Sequence, residues 1–312
     1  MKLIIDTDAG CDDAAAILLA LSHKDVEIVA ITTVHGNTNA RQVGKNVLRI
    51  LDLANRLDIP VYSGCENSLI GDNVHAASYH GKDGLGDVPD ENQVPETLLK
   101  DKHASVALVE YAKKYAGEIS LICMAPLTNI AVAMNLSPNF DKNIKDVFIM
   151  GGNIYGQGNA TIMGEFNFVA DPEAAYTVLN GLNRHNLTIC PWELCLKSYL
   201  SWDWYRKYSE KGTKKSAFMK KVEKVGISND PEETNFKGYV TADQTIMAVA
   251  LNPKVVKKDA FAHCSIELSG KYCRGQMIVD WRNVQGKTNP KFRIIEELDL
   301  DIFSDMLEAS VL

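Results

Sequence analysis

Short apolar runs alternate with stretches of helical periodicity along most of the chain. Residues 3–5, 26–33, 119–124, 147–150 and 187–190 are β-rich and read as strands. Between them, 12–21, 40–54, 104–115, 128–134 and 172–179 carry the spacing of helices. Strand and helix in alternation predict an α/β fold, an open and mostly parallel sheet with helices on both faces and its site at the carboxyl ends of the strands. The alternation breaks at 199–239, where Trp202, Trp204 and many Lys and Glu residues predict a helical insertion or lid, about 199–240. Within it, 226–238 is rich in Asn, Asp, Glu and Pro and predicts a mobile loop. Strand-like runs return at 265–268, 276–279 and 292–296, and a helix from Asp301 closes the chain.

At 312 residues and 46% hydrophobic, the chain can bury a large core, and one domain over 1–312 is the expectation. A net charge of -7 argues against nucleic acid as a partner and for a small molecule. Lys214, Lys215, Lys220, Lys221 and Lys224 alternate with Glu and apolar residues, as on a solvated helix face. The seven cysteines include no C-x-x-C pair, which favours a reducing compartment. The first residues run directly into a strand, with no room for a signal segment, and no run is long enough to span a membrane. A cytoplasmic protein with no membrane partner is expected.

The most informative stretch is Asp6-Thr7-Asp8-Ala9-Gly10-Cys11-Asp12-Asp13, four acids within eight positions, between a strand and a helix. Strand alternation would point Asp6 and Asp8 to one side, and Gly10 permits a turn that brings Asp12 and Asp13 to the same place. Acids so close repel one another unless a cation compensates, and carboxylates suit Ca²⁺ or Mg²⁺ rather than zinc. The plainer alternative is that Asp12 and Asp13 only cap the helix. An EF-hand loop does not fit, because Ile17 stands where its bidentate Glu belongs. A strand-end Asp-x-Asp is also similar to phosphatases of the haloacid dehalogenase type, with Asp6 as nucleophile, but Gly10 stands where those enzymes have Thr or Val.

The same stretch resembles the amino-terminal signature of the inosine-uridine-preferring nucleoside hydrolases, Asp-x-Asp-Pro-Gly-x-Asp-Asp-Ala, with Ala9 in place of Pro. Further matches follow in order: Thr32-Thr33-Val34-His35-Gly36-Asn37, His80-Gly81-Lys82-Asp83-Gly84-Leu85-Gly86, Pro126-Leu127-Thr128-Asn129-Ile130-Ala131, Met150-Gly151-Gly152, Gly158-Asn159-Ala160, Glu165-Phe166-Asn167 and Asp171-Pro172-Glu173-Ala174-Ala175. The resemblance covers residues 3 to about 300. It implies a Rossmann-like nucleoside hydrolase fold and cleavage of the N-glycosidic bond of a ribonucleoside to ribose and free base. It implies a calcium ion held by Asp8, Asp13, the Met124 carbonyl and Asp243, with the attacking water bound there and Asp8 as general base. Asp12, Asn37, Asn159, Glu165 and Asn167 would bind the ribose hydroxyls beside the Met150 loop, and a homodimer or homotetramer is implied.

Attack by water in one displacement predicts inversion at the anomeric carbon. An acidic pocket suits the reaction, because positive charge develops on the ribose as the bond stretches. The pattern departs at Ala242, where the resemblance implies a His in many relatives, a candidate proton donor to the base. His80 is the alternative donor, with a stacking Trp or Tyr, or solvent, as others. Phe166 faces the base or belongs to the core, and His35 is beside Asn37 or packed on the sheet. Trp192 reads as buried, Asn129 as a helix cap and Arg282 as structural. Three functions remain open: active hydrolase, weakened nucleoside- or ribose-binding relative, and Asp6 phosphatase.

Overall fold

Leu3, Ile4 and Ile5 are all fully buried, yet Leu3 and Ile5 join one apolar cluster and Ile4 another. Side chains alternate along a strand, so a strand with no exposed face needs cover on both sides. The computed structural model, which describes residues 1–182, 186–227, 236–286 and 292–312, has helices on both. Strands β1 (Lys2–Thr7), β2 (Glu27–Thr33), β3 (Val61–Ser63), β4 (Leu99–Lys100), β5 (Ile119–Cys123), β6 (Ile144–Met150), β7 (Asn186–Cys190), β8 (Val256–Ile266), β9 (Met277–Asp280) and β10 (Phe292–Leu298) form one sheet. Their order is β4-β3-β2-β1-β5-β6-β7-β10-β8-β9. Neighbours from β4 through β10 run parallel, and β8 is antiparallel to both β10 and β9. The open, mostly parallel sheet expected from the alternation is therefore the fold.

β2 and β5 flank β1, with Thr7 opposite Thr33 and Asp6 opposite Cys123. The chain builds outward from β1 to β4, then returns to add β5, β6 and β7 on the other side. Strand order reverses at β1, and the connections leaving β1, β2 and β5 open a crevice there. The helix Cys11–Ser22 starts just after β1, and its Ile17, Leu18 and Leu19 are fully buried, with the helices Asp243–Leu251 and Leu300–Ser310 packed against it. Burial of each is worth about 1.5–3 kcal/mol, so the helix carrying two of the acids is anchored along its length.

Of the strand expected at 265–268, only 265–266 belong to one, the end of the longer β8, whose first half escapes an apolar reading because Lys257 and Lys258 project to solvent. β3 and β4 are too short to show a period. Among the described residues of the insertion are the helices Trp202–Ser209 and Lys214–Val222, capped by the side chains of Ser201 and Thr213. Most of the loop expected at 226–238 lies outside the described residues. Lys220 pairs with Glu210 and Lys221 with Glu91 on the surface, as befits a solvated face. Among the described residues, no helix is long and apolar enough to cross a membrane.

Candidate active site

β1 ends at Thr7, and the turn after it is held by its own polar groups. Ala9 turns the chain at φ +38°. The Thr7 hydroxyl donates to Asp13 Oδ1 and accepts from the Ala9 amide at 3.0 Å, while the Gly10 amide donates to Asp13 Oδ2 at 2.8 Å. Asp13 is the third residue of its helix, where a carboxylate closes open amides and meets the positive end of the dipole. Capping and acid clustering are thus one feature here rather than alternatives.

Asp8 is 1% exposed and accepts from the Asn37 amide at 2.8 Å. Asp243 enters from the start of the helix Asp243–Leu251, and one carboxylate oxygen each from Asp12, Asp13 and Asp243 lie within 4.8 Å of one another. Asp12 therefore joins this trio as well as the cavity, beyond the sugar-binding role expected of it. Burial raises the carboxyl of Asp8 well above its ordinary value, reinforced by Asp13 and Asp12. Burial, then Asp12, pushes Asp13 up to about 7, and burial with all three neighbours raises Asp243. Buried acids under such mutual repulsion, with only oxygen donors, fit a hard divalent cation.

Asp6 departs from the expected convergence. Its Oδ1 accepts from the Thr32 hydroxyl at 2.5 Å and the Asn129 amide at 2.9 Å, and it does not line the cavity. The strand ends before Asp8, so the alternation that would pair Asp6 with Asp8 is broken by the turn. A phosphatase nucleophile at Asp6 has no access to the crevice. Asn129 is also no cap: it donates to Asp6 and to the Thr33 carbonyl at 3.0 Å and accepts from the Cys65 amide at 2.9 Å, tying β1, β2 and the segment after β3 together. Asn129→Ala strands these buried groups and is expected to cost about 3 kcal/mol of unfolding free energy, as measured by urea denaturation.

The crevice opens into a cavity of about 380 Å³, in the range for a drug-sized ligand. Asp8, Asp12, Asn37, His80, Met124, Met150, Asn159, Glu165, Phe166, Asn167 and Asp243 all line it. Asp13 sits behind them, bonded by the Asn37 side chain at 3.3 Å. Glu165 caps the helix Phe166–Ala170 and also accepts from the Gly152 amide at 2.8 Å, and burial pushes its carboxyl to about 7. Asn167 donates to the carbonyls of Met124 at 3.3 Å and Met150 at 3.1 Å, joining the ends of β5 and β6. Asn159 Oδ1 accepts from the Phe166 amide at 2.8 Å.

His80 is buried, and its Nδ1 accepts from the Cys11 amide at 3.1 Å. That bond leaves the ring hydrogen on Nε2, and burial lowers the ring's pKa. His80 is thus a neutral hydrogen-bond donor, which opposes the acid role expected of it: an imidazolium would aim a second hydrogen at the Cys11 amide. Trp192 is half-buried and lines the cavity instead of being enclosed, and Phe166 lines it too. His35 bonds Thr128 at 3.1 Å away from the cavity, Glu193 serves the amides of Ile154 and Tyr155, and Arg282 is exposed. Tyr79, His75, Phe236 and Val240 also line the cavity.

A profile of the inosine-uridine preferring nucleoside hydrolases matches residues 3–305. The inosine-uridine preferring nucleoside hydrolase of Leishmania major is 33% identical over 97% of this chain and 94% of its own. The pyrimidine-specific ribonucleoside hydrolase RihB of Escherichia coli (strain SE11) is 30% identical over 99% and 96%. A solved inosine-guanosine nucleoside hydrolase superposes with a TM-score of 0.89 at 30% identity, covering 99% of this chain and 98% of that one.

Proposed function

Because the chain belongs to the inosine-uridine preferring nucleoside hydrolase family, we propose that it hydrolyses ribonucleosides to ribose and free base with a calcium ion and Asp8. The observation that carries this reading is the buried acid cluster opening on one face of a cavity lined by polar side chains. Asp8, Asp13, Asp243 and the Met124 carbonyl would hold the ion, with Asp12 beside them. Calcium, when bound, supplies positive charge that offsets these acids and makes the attacking water more acidic.

Asp8 takes the proton of that water as it attacks the anomeric carbon. Asp12, Asn37, Asn159, Glu165 and Asn167 orient the ribose hydroxyls, a task for groups that donate and accept. As the bond to the base stretches, these acids stabilise the positive ribose more than the neutral substrate. The base then lies toward Tyr79, Trp192, Phe236, Val240 and Ala242, where it is held by aromatic and apolar surface. His80 donates a hydrogen bond through Nε2 without ionising.

A methyl group at Gly36 would stand 2.0 Å from Asp8 Oδ2. Gly36→Ala therefore displaces the Asp8 carboxylate, and kcat is expected to fall about 10²-fold while the thermal midpoint also falls, because buried Asp8 has to shift to admit the methyl group. Steady-state kinetics beside a melting curve checks both. A cytoplasmic homodimer or homotetramer belongs to the same reading, checked by mass in solution.

The test is release of ribose from inosine, uridine, cytidine and adenosine by purified protein. Release from at least one supports the reading and ranks the bases. The relatives' names differ in base, so no single nucleoside is singled out. Ala242 favours a second reading, a relative that binds nucleoside with slow turnover; tight binding without base release from all four would establish it.

A further inference from the structure

At the base end of the cavity Ala242 has no proton to give, and the Nδ1 of His80 accepts from the Cys11 amide. Behind Tyr79 lies a small second chamber that shares Asp12, Tyr79 and Val240 with the cavity and is closed by Glu223, Tyr239 and Gln244. Glu223 is 5% exposed at the end of the helix Lys214–Val222. The Tyr205 hydroxyl donates to its Oε2 at 3.0 Å and the Tyr239 hydroxyl to its Oε1 at 2.5 Å. Gln244 donates to the Tyr239 oxygen at 3.3 Å and accepts from the Ala242 amide at 3.0 Å, linking the carboxyl to the segment that lines the base end. No Lys or Arg among the described residues forms an ion pair with it.

We infer that Glu223 supplies the proton that the departing base takes up, passing it through the Tyr239 hydroxyl. This rests on the hydrolase reading above. The groups facing Glu223 are Cys11 and Asp12 from the first helix, Tyr79, and Tyr205, Tyr208 and Tyr239. The thiol and the phenols are all raised by burial and hold their protons. Burial, opposed by the Tyr239 and Tyr205 hydrogen bonds and reinforced by Asp12, pushes Glu223 up to about 7, so it exchanges its proton near neutrality.

In the step, the N-glycosidic electron pair moves to the base. The Glu223 carboxyl gives its hydrogen to the Tyr239 oxygen, and the Tyr239 hydrogen passes through the chamber to the base. Hydroxide from the attacking water bonds to the ribose, and that water's other proton goes to Asp8. Solvent then reprotonates Glu223 and deprotonates Asp8. The sum is nucleoside plus water to ribose plus neutral base.

The test compares inosine with p-nitrophenyl β-D-ribofuranoside, whose leaving group departs without a proton. Glu223→Gln is expected to lower kcat on inosine by about 10²-fold while KM changes little, and to keep hydrolysis of the nitrophenyl riboside within about threefold of wild type. The fall in inosine activity above pH 7 disappears in the variant. Tyr239→Phe is expected to behave the same way and serves if Glu223→Gln does not fold. Tyr205→Phe, which removes the hydrogen bond on the other oxygen, keeps hydrolysis of the nitrophenyl riboside near wild type and moves the fall in inosine activity to higher pH. Equal losses on both substrates mean that Glu223 only holds the fold, and no loss on inosine means another proton source; either result overturns the proposal. If wild type cleaves the nitrophenyl riboside but no nucleoside, proton supply to the base is absent and the proposal falls while the acid cluster's role stands. If wild type cleaves neither, the hydrolase reading falls and takes the proposal with it.

Discussion

Asp8→Asn is expected to lower kcat for nucleoside hydrolysis by roughly 10²- to 10⁴-fold, the contribution of a well-placed general base. Asn keeps the size of the side chain and an oxygen to accept from the Asn37 amide, so the local geometry survives. It cannot take the proton of the attacking water. The exchange also removes one negative charge from a site where Asp8, Asp13 and Asp243 are all raised by burial and by one another, so the thermal midpoint should hold or rise in the absence of cation. Kinetics and melting on the same preparation separate the two effects. A variant that keeps wild-type kcat would remove Asp8 from the chemistry.

Removal of the divalent cation is the second large effect. With a chelator, ribose release should stop and the melting midpoint should fall, and calcium should restore both. A cation present at 100 times its dissociation constant adds about 2.7 kcal/mol to the folded state. The pH dependence of the cation-free protein follows from the sign of the shifts. Asp13 lies at about 7 in the fold against 3.8 as its ordinary value, so the folded chain binds the proton more tightly than the unfolded one. Its protonated form favours folding, and stability falls as pH rises from below 4 through about 7. Melting curves across that range, with and without calcium, measure this. Equal curves under both conditions would mean that no cation binds the cluster.

These expectations depend on features of unequal visibility in the sequence. The central strands are legible because parallel strands buried on both faces leave short, strongly apolar runs between helices. β8 is hidden by Lys257 and Lys258 at its exposed start. The acid cluster is legible because four acids in eight residues need an explanation, but the separate fate of Asp6 is not. Only the end of β1 at Thr7 reveals that Asp6 braces strands while Asp8 faces the crevice.

The base end is the least legible part. Trp192, Tyr79, Phe236 and Val240 are apolar or aromatic residues from distant segments, with no shared period to mark them. An aromatic side chain lining a cavity has the same local signature as one in the core. Asn129 misleads for a related reason: Asn near a helix start usually caps it, and only tertiary contacts show it bonding three strand ends. Glu223 lies in a charged stretch that suggests a solvated lid, and it is held there by Tyr205 and Tyr239, near the two ends of that stretch.

The most direct measurement is proton NMR of the sugar first formed when purified protein with calcium is mixed with inosine or uridine. Single displacement by water predicts that α-ribose appears first, in equal amount to the free base, before it equilibrates with the β form. Initial β-ribose would contradict attack by an Asp8-activated water, and binding without any ribose would contradict hydrolysis itself.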